Sequence, residues 1–467
     1  MKDSKAFPHA TLPVVKILRR LAVLLVFATL GATALLPARV SQVAREVEKV
    51  RGRRFERAVP ASEIDAAELK KVLRSKVAES FPAPPDDTLR TLVALGLIQE
   101  TPNLLDRLVD FYASQVIAFY DPEPRRFYVV RGADKALQKE GAGDEEDIEG
   151  VAGMADAAGM SEKLIFAHEL THALQDESLK LDRRLKDLKE NGDRALALES
   201  LLEGEATLVM VRVVLAGVPG ADESAEEMLG PLLSAGALER SGVPKDIPDY
   251  FVEQLFFPYT EGTAFVRRVV KSKGWAGVDR LWKNPPMSSS EILHEGPGFV
   301  PAENLLPGNS ERLSPSGFHF LYADTLGEWT LRFLLRRSLA EDQADAAASG
   351  WRGDRIVFFA AGRTIAYLWR TRFDSPASAE RFEAAWTRAR ARSPKKETVA
   401  RQGLDVVVAA GFQKLPDLPG FRTQDQAASA AVETLLQPIG LKARGIRTNI
   451  WIESKTPWAM MQGRTLP

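Results

Sequence analysis

The 467-residue chain contains no cysteine. This absence excludes disulfide bonds, and it also excludes lipid attachment at a lipoprotein cysteine. It leaves the cellular compartment open, because exported bacterial enzymes often lack disulfides. The fold therefore has to be stabilised without covalent cross-links.

The sequence also has no excess of charge of one sign. Its 62 lysines and arginines nearly balance 63 aspartates and glutamates, which gives a formal net charge of −1. Binding to nucleic acid or to an anionic membrane surface usually requires a basic excess, so neither partner is indicated. Internal repeats and low-complexity tracts are absent. With 45% hydrophobic residues, the composition is typical of a globular protein of two or three domains.

Histidine is scarce, and its distribution is uneven. Two of the 5 histidines share one helical turn of the segment SEKLIFAHELTHALQDESLK, residues 161–180. The full set is His9, His168, His172, His294 and His319. Residues four apart lie one turn above each other on an α-helix, so His168 and His172 project from the same face. The apolar residues around them predict a buried helix, with Ser161 as its N-terminal cap.

Two imidazoles on one helical face can bind a single divalent metal ion. Zinc accepts neutral imidazole nitrogens in a tetrahedron, and a catalytic zinc site keeps one position open for water. Glu169, about 100° round the helix from His168, would flank that position and accept a proton from the water. The competing interpretation is a surface helix with two solvated histidines. Because buried polar side chains need partners, we predict a Zn²⁺ site with Glu169 as general base.

Such a site needs a third protein ligand, and the next apolar segment offers three acids. The segment Ala195–Gly217 carries Glu199, Glu203 and Glu205 among apolar residues, where acids seldom lie unpaired. On the residues alone, each of these glutamates is a candidate.

Both segments resemble the gluzincin metallopeptidases, the thermolysin-like superfamily in which H-E-x-x-H is completed by a downstream glutamate. HELTHALQD, residues 168–176, is similar to the active helix of that superfamily. Glu203-Gly204-Glu205-Ala206 is similar to the E-G-x-A ligand motif of its aminopeptidase branch. The resemblance implies that His168, His172 and Glu203 hold zinc, with Glu199 and Glu205 as alternatives to Glu203.

The chain departs from the gluzincin pattern at one position. Thr207 stands where an aspartate, four residues after the ligand, is expected to orient the histidines. Asp176, one turn beyond His172, is available for that role. The departure also motivates a different hypothesis, that of a metal-stabilised peptide-binding or envelope scaffold without turnover.

The resemblance further implies peptide-bond hydrolysis, and hence a peptide or protein substrate. Gluzincins place a tyrosine or a histidine opposite the metal to stabilise the oxyanion. Tyr259, which follows Pro258, is the first candidate for this donor. His294, in a short helix capped by the serines at 288–290, is the second.

The pattern as a whole predicts an α+β fold. We expect a mostly helical zincin-like core with a small β-sheet beside the H-E-x-x-H helix, followed by a C-terminal α+β lobe. A hairpin of Val116–Tyr120 and Arg126–Val130 would supply the sheet, and its edge strand would pair with extended substrate. The predicted divisions are a signal peptide or membrane anchor (1–40), a helical N-terminal region (41–115), a catalytic domain (116–306), an accessory lobe (307–415) and a tail (416–467).

Other elements follow from periodicity and capping residues. Helices are predicted from a Ser62 cap to Phe81 and over Phe318–Leu334. The charged stretch Ala44–Arg57 is predicted to be a linker. The further predicted elements are strands at Ile356–Ala360, Thr364–Trp369 and Thr448–Glu453 and a helix at Asp374–Arg390.

The first forty residues have the layout of an export signal. Lys16, Arg19 and Arg20 precede the apolar run Leu21–Leu36. This run is short for a membrane span, which takes about 20 apolar residues, yet an uncleaved anchor through residues 21–36 remains an alternative. We therefore expect an extracytoplasmic protein that is periplasmic, secreted or anchored.

Overall fold

The computed structural model describes residues 36–132, 157–216, 243–294, 302, 305–306, 310–315, 317–391 and 397–412. Within these residues the chain forms an α+β fold, which confirms the predicted class. The helices are α1 (Leu36–Arg51), α2 (Ala66–Ser80), α3 (Pro85–Leu95), α4 (Leu104–Gln115), α5 (Ala157–Leu179), α6 (Leu181–Lys186), α7 (Gly192–Val214), α8 (Asp249–Phe257), α9 (Thr263–Lys273), α10 (Trp275–Lys283), α11 (Ser289–Leu293), α12 (Gly327–Arg336), α13 (Glu341–Ala348) and α14 (Pro376–Arg390). The strands are β1 (Ala61–Ile64), β2 (Ala118–Asp121), β3 (Arg126–Val130), β4 (His319–Asp324), β5 (Trp351–Ala361), β6 (Thr364–Phe373), β7 (Glu397–Gln402) and β8 (Asp405–Ala410).

The smaller sheet has the strand order β1-β3-β2. β2 and β3 pair antiparallel, with Tyr120 opposite Phe127, and this pairing confirms the predicted hairpin. β1 pairs with β3 in parallel. β2 is therefore an edge strand, and it packs beside α5.

The prediction of a helix starting at a Ser62 cap is wrong at its N-terminus. Ser62 lies within β1, where it pairs with Tyr128. The cap is Asp65, whose carboxylate accepts a hydrogen bond from the Glu68 backbone N–H at 2.8 Å. Both residues are good caps, and pairing of residues 61–64 with β3 decides between them.

The stretch predicted to be a linker is helical as far as Arg51. Val40, Val43, Val47 and Arg51 are buried on one face of α1. This face packs against α5 and α7, which are themselves apolar nearly all round. The segment after the candidate leader is thus part of the core that surrounds the H-E-x-x-H helix.

The larger sheet is antiparallel, with the order β4-β5-β6-β8-β7. The two strands and the helix predicted in this region are confirmed as parts of β5, β6 and α14. Trp386 of α14 packs on Trp369 of β6 with ring centroids 5.0 Å apart. The helix predicted over Phe318–Leu334 is wrong in its first half, because His319–Asp324 pairs with β5 as a strand.

Some predictions fall outside the described residues. They are the strand at Thr448–Glu453, the tail and the apolar run Leu21–Leu36 apart from its last residue. Among the residues that the structure describes, none of the helices is both long enough and apolar enough to cross a membrane.

Buried aspartates join the start of α7 to the β4–α12 connection. Asp193 accepts a hydrogen bond from the Ser289 backbone N–H at 3.0 Å, and its own N–H donates to the carbonyl of Thr325 at 3.1 Å. Asp324 accepts from the Gly192 N–H at 2.7 Å. Burial raises the pKa of Asp193 to about 7, although hydrogen bonds from Ser289 oppose the rise. The first turn of α7 is thereby fixed to the part of the chain that forms the larger sheet.

The raised pKa of Asp193 predicts a stability that depends on pH. An unfolded aspartate has a pKa of about 3.9, so folding favours the protonated carboxyl. This contribution is fully present below about pH 4 and is lost as the pH rises through about 7. In chemical unfolding, the loss of stability between pH 5 and pH 8 should be about 3 kcal/mol smaller in Asp193→Asn than in the wild type. The exposed Asp110→Asn is the control, and equal pH dependence in both variants would contradict the assignment.

Candidate metal centre

The two histidines of α5 meet one glutamate of α7. Oε2 of Glu203 lies 3.0 Å from Nε2 of His168 and 3.4 Å from Nε2 of His172, and the two Nε2 atoms are 3.2 Å apart. α5 already runs at residue 157, so Ser161 lies inside the helix and is not its cap. The fold therefore brings together His168, His172 and Glu203, the three residues that the sequence analysis proposed as metal ligands.

The spacing of these three donor atoms fits a zinc ion. Zinc bonds to imidazole nitrogen and carboxylate oxygen are about 2.0–2.2 Å long, so the edges of a tetrahedral site measure about 3.3–3.6 Å. The observed separations of 3.0, 3.2 and 3.4 Å are close to these edges. Two imidazole nitrogens facing each other and a carboxylate also need a cation or protons between them. The residues present thus suit Zn²⁺.

A second acid, Glu169, is also close to both imidazoles. The donor atoms of His168, Glu169 and His172 all lie within 4.8 Å of one another. Glu203 is the better placed candidate ligand because its oxygen lies 3.0 and 3.4 Å from the two nitrogens, whereas Glu169 accepts a hydrogen bond from the backbone N–H of Tyr120 at 2.9 Å. Glu169 is therefore held beside the three donors by the edge strand β2.

The alternatives to Glu203 have other surroundings. The carboxylate of Glu205 forms an ion pair with Arg51 and accepts hydrogen bonds from Gln175 at 3.0 Å and Trp282 at 2.7 Å. Its oxygens are thus already engaged away from the imidazoles. Glu199 lies one turn before Glu203 on α7. Burial, and then the charge of Glu203, raise the pKa of Glu199 to about 7.

The charges within the site are strongly coupled. Burial alone would lower the pKa of His172, but the Glu203 carboxylate outweighs it and raises the pKa to about 10. Burial likewise raises the pKa of Glu203, and the two histidines reverse this and hold it well below its usual range. Burial raises the pKa of Glu169 above its usual value, against the opposing effect of the histidines. The site favours a positive charge between Glu203 and the imidazoles.

The side chain that orients His172 is Gln175. Nδ1 of His172 lies 2.9 Å from Oε1 of Gln175. Asp176, which the sequence made available for this role, has other partners: it accepts from the Tyr120 hydroxyl at 3.0 Å and from the Leu181 N–H at 2.8 Å. Sequence reasoning missed Gln175, although its place three residues after His172 on a buried helix was a usable signal.

Tyr259 lies at the same site. Its ring stacks on that of His168, with centroids 5.9 Å apart and an interplanar angle of 17°, and it lies close to the Glu203 carboxylate. Burial and the neighbouring carboxylates raise the pKa of Tyr259 well above its usual value, so the phenol keeps its proton.

A close helix crossing brings Tyr259 there. Pro258–Gly262 forms a π-helical turn between α8 and α9, a feature that often occurs at functional sites. A Cβ on Gly204 would lie 2.2 Å from the carbonyl oxygen of Gly262, and a Cβ on Gly262 would lie 2.3 Å from that of Ser200. Glycine at both positions is therefore what allows the two backbones to approach so closely.

The structure places His294 among different partners. Its Nε2 lies 2.7 Å from the buried carboxylate of Glu328 and 3.3 Å from Nη2 of Arg332, and its side chain is 44% exposed. Ser288 caps the short helix α11 before it, as predicted, by accepting from the Ser290 N–H. In the described part of the chain, Tyr259 lies against His168 and Glu203, whereas the contacts of His294 are with Glu328 and Arg332.

Comparison with known proteins gives two matches. A family model described as a domain of unknown function, DUF8575, matches residues 319–422, the region of the larger sheet. A crystal structure of a protein from Chloroflexus aurantiacus, described as a "putative hydrolase with a novel fold", matches with 20% identity and a TM-score of 0.34, over 60% of this chain and 92% of that one. No curated protein matches the chain.

Proposed function

We propose that the protein is a zinc-dependent peptidase of the gluzincin type. The observation that carries this proposal is the convergence of His168, His172 and Glu203, with donor atoms 3.0–3.4 Å apart, beside a carboxylate that is not one of the three. Bound there, zinc would polarise the scissile carbonyl and lower the pKa of the attacking water toward neutrality.

Glu169 has the position of a general base. It lies beside the three donors, and the Tyr120 N–H orients one of its oxygens at 2.9 Å. It takes a proton from the attacking water and gives it to the leaving nitrogen as the C–N bond breaks. One residue thus moves the proton in both halves of the reaction.

The edge strand β2 is the proposed recognition element for substrate. It borders α5 and pairs with β3 on one side only. An extended peptide can add to such an edge through main-chain hydrogen bonds. The proposed substrate is therefore a peptide or protein in extended conformation. The export-like leader makes an extracytoplasmic location part of the same proposal.

Tyr259 is the proposed donor to the oxyanion. A phenol is protonated at neutral pH, and this one lies against both His168 and Glu203. Tyr259→Phe should lower kcat by about 10²-fold or more while zinc is retained. His294→Gln should leave kcat close to that of the wild type. The reverse pattern would assign the role to His294 instead.

Metal removal tests the proposed function directly. Purified protein dialysed against a chelator should lose hydrolysis of casein or of a mixed peptide library, and one equivalent of zinc should restore it. Two of the three proposed ligands are imidazole nitrogens, whereas calcium and magnesium prefer oxygen ligands. Neither of these ions should therefore restore activity. Full activity in zinc-free protein would refute the proposal.

A further inference from the structure

The orientation of Gln175 in the core is fixed by its own hydrogen bonds. Its side chain is fully buried, and its amide nitrogen donates to the carbonyl of Leu202 and to Oε2 of Glu205, both at 3.0 Å. An amide has two N–H donors, so both are used. The oxygen must then face His172, whose Nδ1 lies 2.9 Å away.

This orientation selects one form of His172. An amide oxygen only accepts hydrogen bonds, so Nδ1 of His172 has to carry the proton. Nε2 is then the nitrogen whose lone pair is free to bind metal, and it is the one that faces Glu203 and His168.

Glu205, which holds Gln175, is itself paired with the first helix of the structure. Arg51, the last residue of α1, forms an ion pair with Glu205, and both side chains are 0% exposed. The guanidinium lies over the rings of Trp275 at 4.7 Å and Trp282 at 4.9 Å. Trp282 also donates its indole N–H to Oε2 of Glu205 at 2.7 Å.

Stability alone does not account for such an ion pair. Burying two charges costs several kcal/mol per ion, and well-packed apolar residues are often as stabilising. Arg51 also pairs with the partly exposed Asp279 at 2.6 Å, and Glu205 accepts from the Gln175 amide that lies behind His172. This arrangement indicates a role in holding polar groups at defined positions.

We propose that Arg51, Glu205 and Gln175 are positioning residues for His172, acting as a relay from α1 to the metal centre. The proposal rests on the proposed zinc site, and it assigns the orienting role of the absent aspartate at position 207 to these three residues. Loss of any of them would leave His172 free to rotate or to change tautomer, and so would weaken metal binding without removing a ligand.

The test is a zinc competition titration with a chromophoric chelator, made on the full chain. Gln175→Leu, similar in size but without the acceptor, should weaken zinc binding by about 10- to 100-fold. Asp176→Asn, at the adjacent buried position on α5, should bind zinc like the wild type. Glu205→Gln should weaken binding in the same direction, and Arg51→Lys should bind more tightly than Arg51→Met.

Two further measurements separate positioning from general loss of structure. Thermal unfolding in excess chelator reports the stability of the metal-free variants, and the visible spectrum of the Co²⁺-loaded protein reports the ligand geometry. A changed cobalt spectrum in Gln175→Leu, with metal-free stability like that of Asp176→Asn, supports the relay. If folded Gln175→Leu binds zinc with wild-type affinity, the relay is refuted. If Gln175→Leu does not fold, wild-type zinc affinity in folded Glu205→Gln refutes the relay instead. A wild-type chain that binds no zinc would instead refute the zinc site itself.

Discussion

Replacing Glu169 by glutamine is expected to lower kcat/KM for peptide hydrolysis by about 10²- to 10⁴-fold while one zinc per chain is retained. Glutamine keeps the shape of the side chain, and its oxygen can still accept the hydrogen bond from the Tyr120 N–H. It cannot take a proton from water. Because His168, His172 and Glu203 are unchanged, the metal should stay bound.

The matched control is Glu177→Gln, on the same helix. Glu177 accepts hydrogen bonds from the Glu56 N–H at 3.1 and 3.2 Å and lies away from the three donors. Its replacement should leave both turnover and zinc content unchanged. Wild-type function in Glu169→Gln would favour the scaffold hypothesis. Loss of zinc from that variant would show that Glu169 is a ligand.

Replacing Glu203 by alanine is expected to remove stoichiometric zinc. The change deletes the oxygen that lies 3.0 and 3.4 Å from the two imidazole nitrogens, together with the negative charge that balances them. The loss should exceed the 10- to 100-fold that removal of an outer partner costs. A competition titration with a chromophoric chelator measures it, and peptide hydrolysis should disappear in parallel.

The matched control for this variant is Glu199→Gln, one turn earlier on α7. Both residues are acids in the same buried segment, so the pair separates the assigned ligand from its alternative. Glu199→Gln should retain zinc. If Glu199→Gln lost zinc and Glu203→Ala kept it, the ligand assignment would be exchanged between the two.

Local sequence patterns predicted much of the site. The four-residue spacing of His168 and His172 puts both on one helical face whatever the rest of the fold does. An acid in an apolar segment needs a partner, which indicated the α7 glutamates, and the resemblance singled out Glu203. The hairpin before α5 could also be predicted from the sequence, because the strand-like residue pattern and the Asp121-Pro122 turn are local signals.

The parts that sequence reasoning missed depend on distant contacts. Arg51 and Glu205 are 154 positions apart, and a charged residue at the end of an amphipathic helix gives no sign that it will be buried. In the larger sheet, His319–Asp324 was predicted to be helical as the first part of an amphipathic helix over Phe318–Leu334. Pairing with β5 makes it a strand. Tertiary contacts override local propensity at both places.

The most direct test of the zinc centre is anomalous diffraction at the zinc absorption edge from crystals of protein purified without chelator. The account predicts one strong peak, bonded at about 2.0–2.2 Å to Nε2 of His168, Nε2 of His172 and a carboxylate oxygen of Glu203. An empty site, or an ion held by other residues, would contradict it.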